Sequence, residues 1–423
     1  MKIRNVFRVL VSLLVVSGLA ACSRSKDVKQ PIVIGLQADL TGGISSWGYW
    51  LDKAARAAVD RVNKEGGISG RPVKLVVEDT ETDPATGARK FRKLVLQDGA
   101  IFVIGSVHSG VMMATVPLAK EMKTIYAPVA MASEATGEQG NRYVFRINSH
   151  VREQVQAAGE WVVQNLAKRW TICVSDYAWG WSHEEWFSRK VTESGGTILK
   201  SIRIPQGTKD FLPYIVKIPK ETEGVYFIFF GADSVGFVQQ LYESGYRGQK
   251  FTMICTLEAI DVLKLGTAAE GMWMLEYLPR NLQQHDVAPE LLKTFDTTYH
   301  HDFRAAVGAD SEGKEIGNPD RIIACSHCWA TYELVFMLKK AIEQCGWRSK
   351  DDTPKLIETL EGMKLDWGIQ HPQGPKTVRP EDHQAFHWHW MSHVENGRLI
   401  VKFLIPTEKV TYPPPVDFRK EPF

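Results

Sequence analysis

The chain has 423 residues, 51 of them basic and 49 acidic, for a formal net charge of +2. That balance gives no electrostatic case for nucleic acid, and six cysteines in so long a chain are not a disulfide scaffold. The length exceeds one compact core and predicts two domains of roughly 150–250 residues each.

The first residues read as a targeting segment. Lys2, Arg4 and Arg8 form a basic start, and the apolar run over 9–16, broken only by Ser12, is too short to span a bilayer. Leu19-Ala20-Ala21-Cys22 resembles the bacterial lipobox, in which the cysteine is lipidated and becomes the new N-terminus. This predicts a lipoprotein signal over 1–21, lipid attachment at Cys22 and a polar tether over 22–30. An ordinary secretory signal with an incidental cysteine is the alternative, and both predict export. No later stretch is long and apolar enough to cross a membrane.

From residue 32 the pattern alternates strand and helix. A strand over 32–36 is followed by a polar, aromatic loop over 38–48. A helix then places Leu51, Ala54, Ala55, Ala58, Val59 and Val62 on one face. Gly66-Gly67 stops it, and 73–78 is the next strand. One such unit binds ligands at the carboxyl end of its first strand, and this loop carries aromatics rather than a phosphate cradle. The alternation continues with a helix over 85–96, a strand over 101–104, a helix over 111–122 and strands over 125–129 and 143–147. It starts afresh with a helix over 151–167 and a strand over 171–174, which opens into a loop over 176–181. Helices over 183–194, 211–218 and 234–244 follow, with strands over 225–230 and 251–255. Residues 272–278 are strand-like, 301–321 read as a polar surface excursion, and 322–344 as one long helix. Residues 385–391 and 399–404 form a terminal hairpin turned at Glu395-Asn396-Gly397, and an irregular tail follows. Cys173 and Cys255 lie in apolar runs and read as small buried hydrophobes. The whole predicts an α/β protein with two doubly wound parallel sheets, the loops after the strands gathered at one edge of each.

The motifs recur in an ordered set: Ile34-Gly35 with Leu40-Thr41-Gly42, Val62-Asn63-Lys64-Glu65-Gly66-Gly67 with Val77-Glu78-Asp79, Val103-Ile104-Gly105 with Ser109-Gly110, Tyr143-Val144-Phe145-Arg146, Ala269-Glu270-Gly271, and Arg379 to Gln384. In them the chain resembles the branched-chain amino-acid type of ABC-transporter solute-binding protein, over nearly all of the mature length. The resemblance implies a type I periplasmic binding fold, two lobes joined by three crossover strands with a ligand cleft between them. It places lobe 1 at 31–145 and 274–378, lobe 2 at 146–273 and 379–410, and a tail at 411–423. Closure of the cleft on a ligand is what the transporter would recognise.

The resemblance also supplies site residues. Ser109 matches the serine that binds a ligand carboxylate, and it enters a helix, where free N–H groups favour an anion; a plain N-cap serine is the alternative. Ala130 matches a position offering its carbonyl to an ammonium. Met131 stands where amino-acid binders carry Thr or Ser, and a thioether is a poor substitute. Trp179 aligns with a ligand-covering tyrosine, with Tyr177 and Trp181 beside it, and Trp47, Tyr49 and Trp50 lie at the mouth. Asp233, Thr256 and Glu258 follow later strands; either acid would pair with a ligand cation or cap a helix, Asp233 ahead of Ser234.

The remaining constellations are weak. Cys325-Ser326-His327-Cys328 is a C-x-x-C without a second pair, short of a zinc site. His383, His387, His389 and His393 read as exposed positions on the terminal hairpin, with metal binding the alternative. No P-loop, zincin or nucleophile-elbow pattern occurs. The reading is a monomeric, cofactor-free, non-enzymatic binding protein that carries a small carboxylate, an apolar amino acid or an aromatic or alkyl acid, to an inner-membrane ABC permease. Presentation of the closed form to a signalling receptor is the alternative function.

Overall fold

In the computed structural model, residues 30–254, 259–279, 294–323 and 326–423 are described. The first sheet is built from β1 (Ile32–Ala38), β2 (Val73–Asp79), β3 (Phe102–Gly105) and β4 (Ile125–Ala127), with α1 (Ser45–Lys64), α2 (Pro84–Leu96) and α3 (Ser109–Glu121) between them. All four strands are parallel, in the order β2-β1-β3-β4. The strands are short apolar runs because both sheet faces are covered. The apolar face of α1 behaves as its spacing predicts: Leu51, Ala54, Ala55, Ala58 and Val62 are fully buried, and the helix packs against the long helix Ser326–Cys345.

The second sheet has seven strands. β5 (Arg169–Ser175), β6 (Thr197–Ile204), β7 (Gly224–Ile228), β8 (Gln249–Thr252) and β9 (Trp273–Glu276) run parallel, interleaved with α4 (Val151–Asn165), α5 (Ala178–Glu193), α6 (Leu212–Ile215), α7 (Ala232–Glu243) and α8 (Ala259–Leu265). Two minor hairpins, β10 (Lys314–Glu315) with β11 (Asn318–Ile322) and β12 (Lys364–Leu365) with β13 (Lys376–Thr377), precede β14 (His389–Glu395) and β15 (Arg398–Ile405). These last two complete the order β15-β14-β9-β8-β7-β5-β6, with β14 antiparallel to both β9 and β15. The terminal hairpin turns at Asn396 and Gly397, both at positive φ, as that pair predicts.

Several expectations need correction. α5 begins at Ala178, five residues earlier than expected, because Tyr177 enters the helix in an extended conformation with no side-chain cap to announce it. β6 was unexpected; its solvated edge position leaves it polar. Ile322 ends a strand over Asn318–Ile322 rather than starting the long helix, which is described from Ser326, and the 301–321 stretch contains the helix His301–Ala306 and most of a hairpin. The 211–218 helix shrinks to Leu212–Ile215. Residues 143–147 form single bridges, Tyr126 to Val144 and Arg146 to Gln384, rather than a ladder strand. The segment 272–278 stays in the seven-stranded sheet through β9, so a lobe boundary at 273/274 falls inside that strand. His383, His387 and His389 are buried, not exposed: His383 stacks on Phe145, His389 starts the interior strand β14, and the Tyr277 ring centroid lies 5.0 and 5.2 Å from those of His387 and His389. Among the described residues no group of His, Cys, Asp and Glu has metal-holding geometry. Cys173, Cys328 and Cys345 are buried and unbridged; Cys22, Cys255 and Cys325 lie outside the described residues.

Where the chain passes between the sheets, Arg146 is wholly buried. Its guanidinium donates to Gln384 Oε1 at 2.8 Å, to the carbonyls of Ala130 (3.2 Å), Ala132 (2.7 Å) and Ser133 (3.4 Å), and to Thr136 Oγ1. Burial pushes its pKa down to about 10, which leaves it charged at neutral pH. Arg146→Lys keeps the charge but offers one ammonium to acceptors spread across a planar fork. It should destabilise the fold by about 3 kcal/mol, the scale for a buried charge robbed of its partners, read as a lower urea midpoint at unchanged m-value.

Eight histidines (His108, His150, His183, His300, His327, His371, His387 and His389) are held below their ordinary pKa of 6.5 by burial. Each is neutral in the fold and gains a proton on unfolding once the pH falls below 6.5. Stability is therefore intact above pH 6.5 and lost as the pH drops toward 4, by about 1.4 kcal/mol per pH unit for each histidine. The carboxyls of Asp39, Glu134, Glu153 and Glu333, which burial raises, act in the opposite sense, but they are half as many. Urea midpoints measured from pH 7.5 to 5 should fall steeply below 6.5; a flat profile would refute this.

Candidate functional site

In each sheet the strand order reverses once, between β1 and β3 in the first and between β5 and β7 in the second. At such a point the loops after the two strands diverge and leave a crevice. The two crevices face each other, and one cavity of about 30 Å³ lies between them. Its walls come from the loop or helix start after β1 (Ile44, Trp47), after β3 (Val107, Ser109), after β4 (Met131), after β5 (Tyr177, Trp179) and after β7 (Phe230), with His327 from the start of the long helix.

The two halves are built alike. Trp47 and Trp179 each lie in the first turn of a helix and each precedes a glycine. A Cβ on Gly48 would stand 2.1 Å from the Asp39 carbonyl oxygen, and one on Gly180 would stand 1.9 Å from that of Ser175. Only glycine lets each helix start so close to the strand end it follows, and that approach sets its tryptophan into the cavity.

Buried carboxylates shape the loops of the first lobe. Asp39 accepts from Thr80 Oγ1, from Ser106 Oγ at 2.8 Å and from the Val107 N–H at 2.8 Å. Burial pushes its pKa up while these bonds pull the other way. Ser106 Oγ in turn accepts from the His108 N–H at 2.9 Å. Asp79 accepts from the N–H groups of Leu40, Thr41 and Glu81 and from Thr41 Oγ1. Partial burial works against ionisation there, yet the bonds hold the carboxyl below its usual range.

Ser109, Met131, Trp47, Tyr177 and Trp179 therefore meet at one cavity. Ser109 is not the N-cap of α3: His108 is, its Nδ1 accepting from the Val111 N–H at 3.3 Å. Ser109 Oγ accepts from the Ala132 N–H at 3.2 Å, which leaves its own proton to donate. Met131 accepts a hydrogen bond at sulfur from Gln154 Nε2, 3.2 Å away. Ala130 does not line the cavity, and its carbonyl accepts from Arg146. Asp233 stands outside the cavity, at a wider opening it shares with Glu81 and Lys209, and accepts from the Gly207 N–H at 2.7 Å. It lies inside α7, whose N-cap is Gly231, so it does not cap that helix from in front. Tyr49 and Trp50 are not part of the cavity wall; they pack under β10 and β11, as the Tyr49–Glu315 and Trp50–Ile322 hydrogen bonds show. Thr256 and Glu258 lie outside the described residues.

Ile44, Val107, Phe230 and His327 were not foreseen. Phe230 was signalled, since it ends a buried run at a strand order reversal. His327 was hidden inside a cysteine pattern. Burial pushes its pKa down to about 3, so the ring is neutral at physiological pH.

The polar equipment of the cavity is one-sided. The indole N–H groups of Trp47 and Trp179 are buried without a partner, and an indole nitrogen only donates. Helices α3 and α5 begin at the cavity with first-turn N–H groups that the helix itself leaves unpaired, whereas at α1 the Ser45, Trp47 and Gly48 N–H groups already donate to the Gly42 and Ile44 carbonyls. No carboxylate stands among the described lining residues. The lobes touch here: Trp47 meets Phe230 edge-on at 5.6 Å, His108 stacks on Tyr177, and the Ser133 N–H donates to Ser182 Oγ at 3.2 Å.

Comparison with known proteins places this geometry. The family profile described as periplasmic binding protein matches residues 31–398. Leu/Ile/Val-binding protein homolog 6 of Brucella melitensis is 25% identical over 385 residues, covering 88% of this chain and 89% of that protein. The leucine-, isoleucine-, valine-, threonine-, and alanine-binding protein of Pseudomonas aeruginosa is 27% identical, covering 68% and 76%. Among solved structures, a solute-binding protein of an ABC transporter from R. palustris in complex with 4-hydroxybenzoate superimposes with a TM-score of 0.73 at 22% identity, covering 89% and 96%. A leucine-binding protein from Thermotoga maritima gives 0.71 at 21%, covering 89% and 99%. Two doubly wound lobes whose switch points enclose one cavity, matched over most of their length, identify the chain as a member of the periplasmic binding protein family, an extracytoplasmic solute-binding protein of the ABC-uptake type with the type I fold.

Proposed function

We propose that this protein captures a small carboxylate with a flat apolar body, an aromatic acid in preference to a branched-chain amino acid, and delivers it in the closed form to an ABC permease. The absence of a carboxylate among the described lining residues, beside buried unpaired donors, carries this reading. An anion finds the Ser109 hydroxyl, two indole N–H groups and the starts of α3 and α5. A ring finds Trp47, Tyr177, Trp179 and Phe230 as walls. An ammonium needs an acceptor, and the Ala130 carbonyl and Met131 sulfur are already engaged. Relatives of the same fold support both ligand classes: proteins from R. palustris are seen with 4-hydroxybenzoate and with benzoate, and one from Streptococcus pneumoniae with isoleucine.

Calorimetric titration with benzoate, 4-hydroxybenzoate, phenylalanine and leucine tests the assignment. The aromatic acids should bind at least tenfold more tightly than either amino acid; the reverse order overturns it. Ser109→Ala should weaken benzoate binding about tenfold, the value of one charge-assisted hydrogen bond at about 1.4 kcal/mol. Trp47→Ala should weaken it as well, since that ring walls the cavity and closes on Phe230.

Lipid attachment at Cys22 belongs to the same proposal. It would keep the protein at the membrane beside its permease, as a monomer. Radiolabelled palmitate should enter the wild-type protein and not Cys22→Ser, which should appear in the soluble fraction instead. Equal labelling of both would refute the anchor.

A further inference from the structure

His108 does two things at once. Its Nδ1 accepts from the Val111 N–H at 3.3 Å and so caps α3, one residue before Ser109. Its ring also lies flat on Tyr177, with centroids 4.9 Å apart and planes 5° from parallel. Tyr177 follows β5 and so belongs to the opposite sheet. The pair therefore crosses the cleft. Tyr177 lines the cavity and abuts Trp179 and Phe230 at 6.2 and 6.4 Å, whereas His108 is not among the lining residues. A cap requires a small acceptor, and Asn, Asp, Ser or Thr would serve. A stack requires a flat ring. Neutral histidine meets both demands in one side chain.

We propose that His108 is a positioning residue for ligand capture: its ring holds Tyr177 against the cavity where the lobes touch, with or without ligand, while its Nδ1 fixes the helix start that carries Ser109. This rests on the reading of Ser109 and Tyr177 as ligand contacts. It adds that the contributions of the two lobes are tied together by a side chain the ligand does not touch.

Two substitutions separate the functions. His108→Asn keeps an acceptor and removes the ring; His108→Phe keeps a ring and removes the acceptor. With benzoate as the probe, H108N should raise Kd about fivefold, mainly through faster dissociation, the scale of one ring pair. H108F should stay within about twofold in dissociation rate while melting at lower temperature. Tyr177→Leu combined with H108N should be no weaker than Tyr177→Leu alone. The proposal falls if H108N binds like wild type, if H108F dissociates as fast as H108N, or if the double variant shows the product of the two single losses. Hydrogen exchange on the ligand-free proteins gives an arm independent of the ligand. Amides over 177–182 should exchange faster in H108N than in wild type or H108F, and equal rates overturn the proposal. Failure of wild type to bind benzoate would count against the carboxylate assignment alone, since the exchange arm still decides the role of His108.

Discussion

The guanidinium of Arg146 is the constraint on which the rest of the molecule depends. A buried charge is tolerated only when its hydrogen-bonding capacity is filled, and five donors here meet five acceptors. Three of those acceptors are carbonyls of the stretch after β4, which carries Met131 and whose Ala132 N–H holds Ser109. The other two come from Thr136 and Gln384. Gln384 goes on to donate to the carbonyls of Asn148 and Ala385, and the Arg146 backbone pairs with His383 and Ala385 on either side. Two passages of chain between the sheets are thereby zipped together at the point from which a cavity wall hangs.

That arrangement ties the two passages of chain to each other through side chain and backbone alike. The C-terminal tail adds a further tie. It leaves β15 in the second sheet, places the Tyr412 hydroxyl 2.6 Å from His150 Nε2, and sets Phe418 against the His383 ring at 5.5 Å. It ends on the first lobe, where Glu421 meets Lys120 at 2.6 Å and the Arg142 guanidinium sits 3.8 Å from the Phe423 ring centroid. The family match stops at residue 398. Most of this fourth link between the lobes lies beyond it.

Legibility in the sequence followed the strength of local periodicity. The β1–α1–β2 unit was readable because a buried strand and a helix with one small-residue face have distinct patterns. Ser109, Met131 and Trp179 could be placed because the chain's motifs match those of the family, and Trp47 and Tyr177 because they are aromatics in loops that follow strands. What escaped did so for identifiable reasons. The start of α5 has no polar cap, and its Gly180 reads as a loop although a Cβ there would stand 1.9 Å from the Ser175 carbonyl oxygen. His387 and His389 read as exposed because polar residues on a terminal hairpin usually are; the pairing of β14 with β15 places His389 in the sheet, and the Tyr277 and Trp388 rings pack on His387. His327 belongs to the cavity through the tertiary placement of a helix more than 200 residues from Ser109 in sequence. No local pattern can carry that information.

The hinge and the chemistry of the cleft are also linked. The backbone acceptor that an amino-acid ligand would use for its ammonium, the Ala130 carbonyl, is drawn into the Arg146 network. The side chain that follows it, Met131, accepts from Gln154 of α4 rather than offering a hydroxyl to the cavity. The Ala130 and Met131 acceptors are thus turned toward the buried framework, while the indole N–H groups, the Ser109 hydroxyl and the starts of α3 and α5 stand at the cavity. A single physical demand, that the buried guanidinium be satisfied, therefore removes an acceptor from the site. It helps to leave a cavity whose polarity suits an anion with a flat apolar body better than a zwitterion.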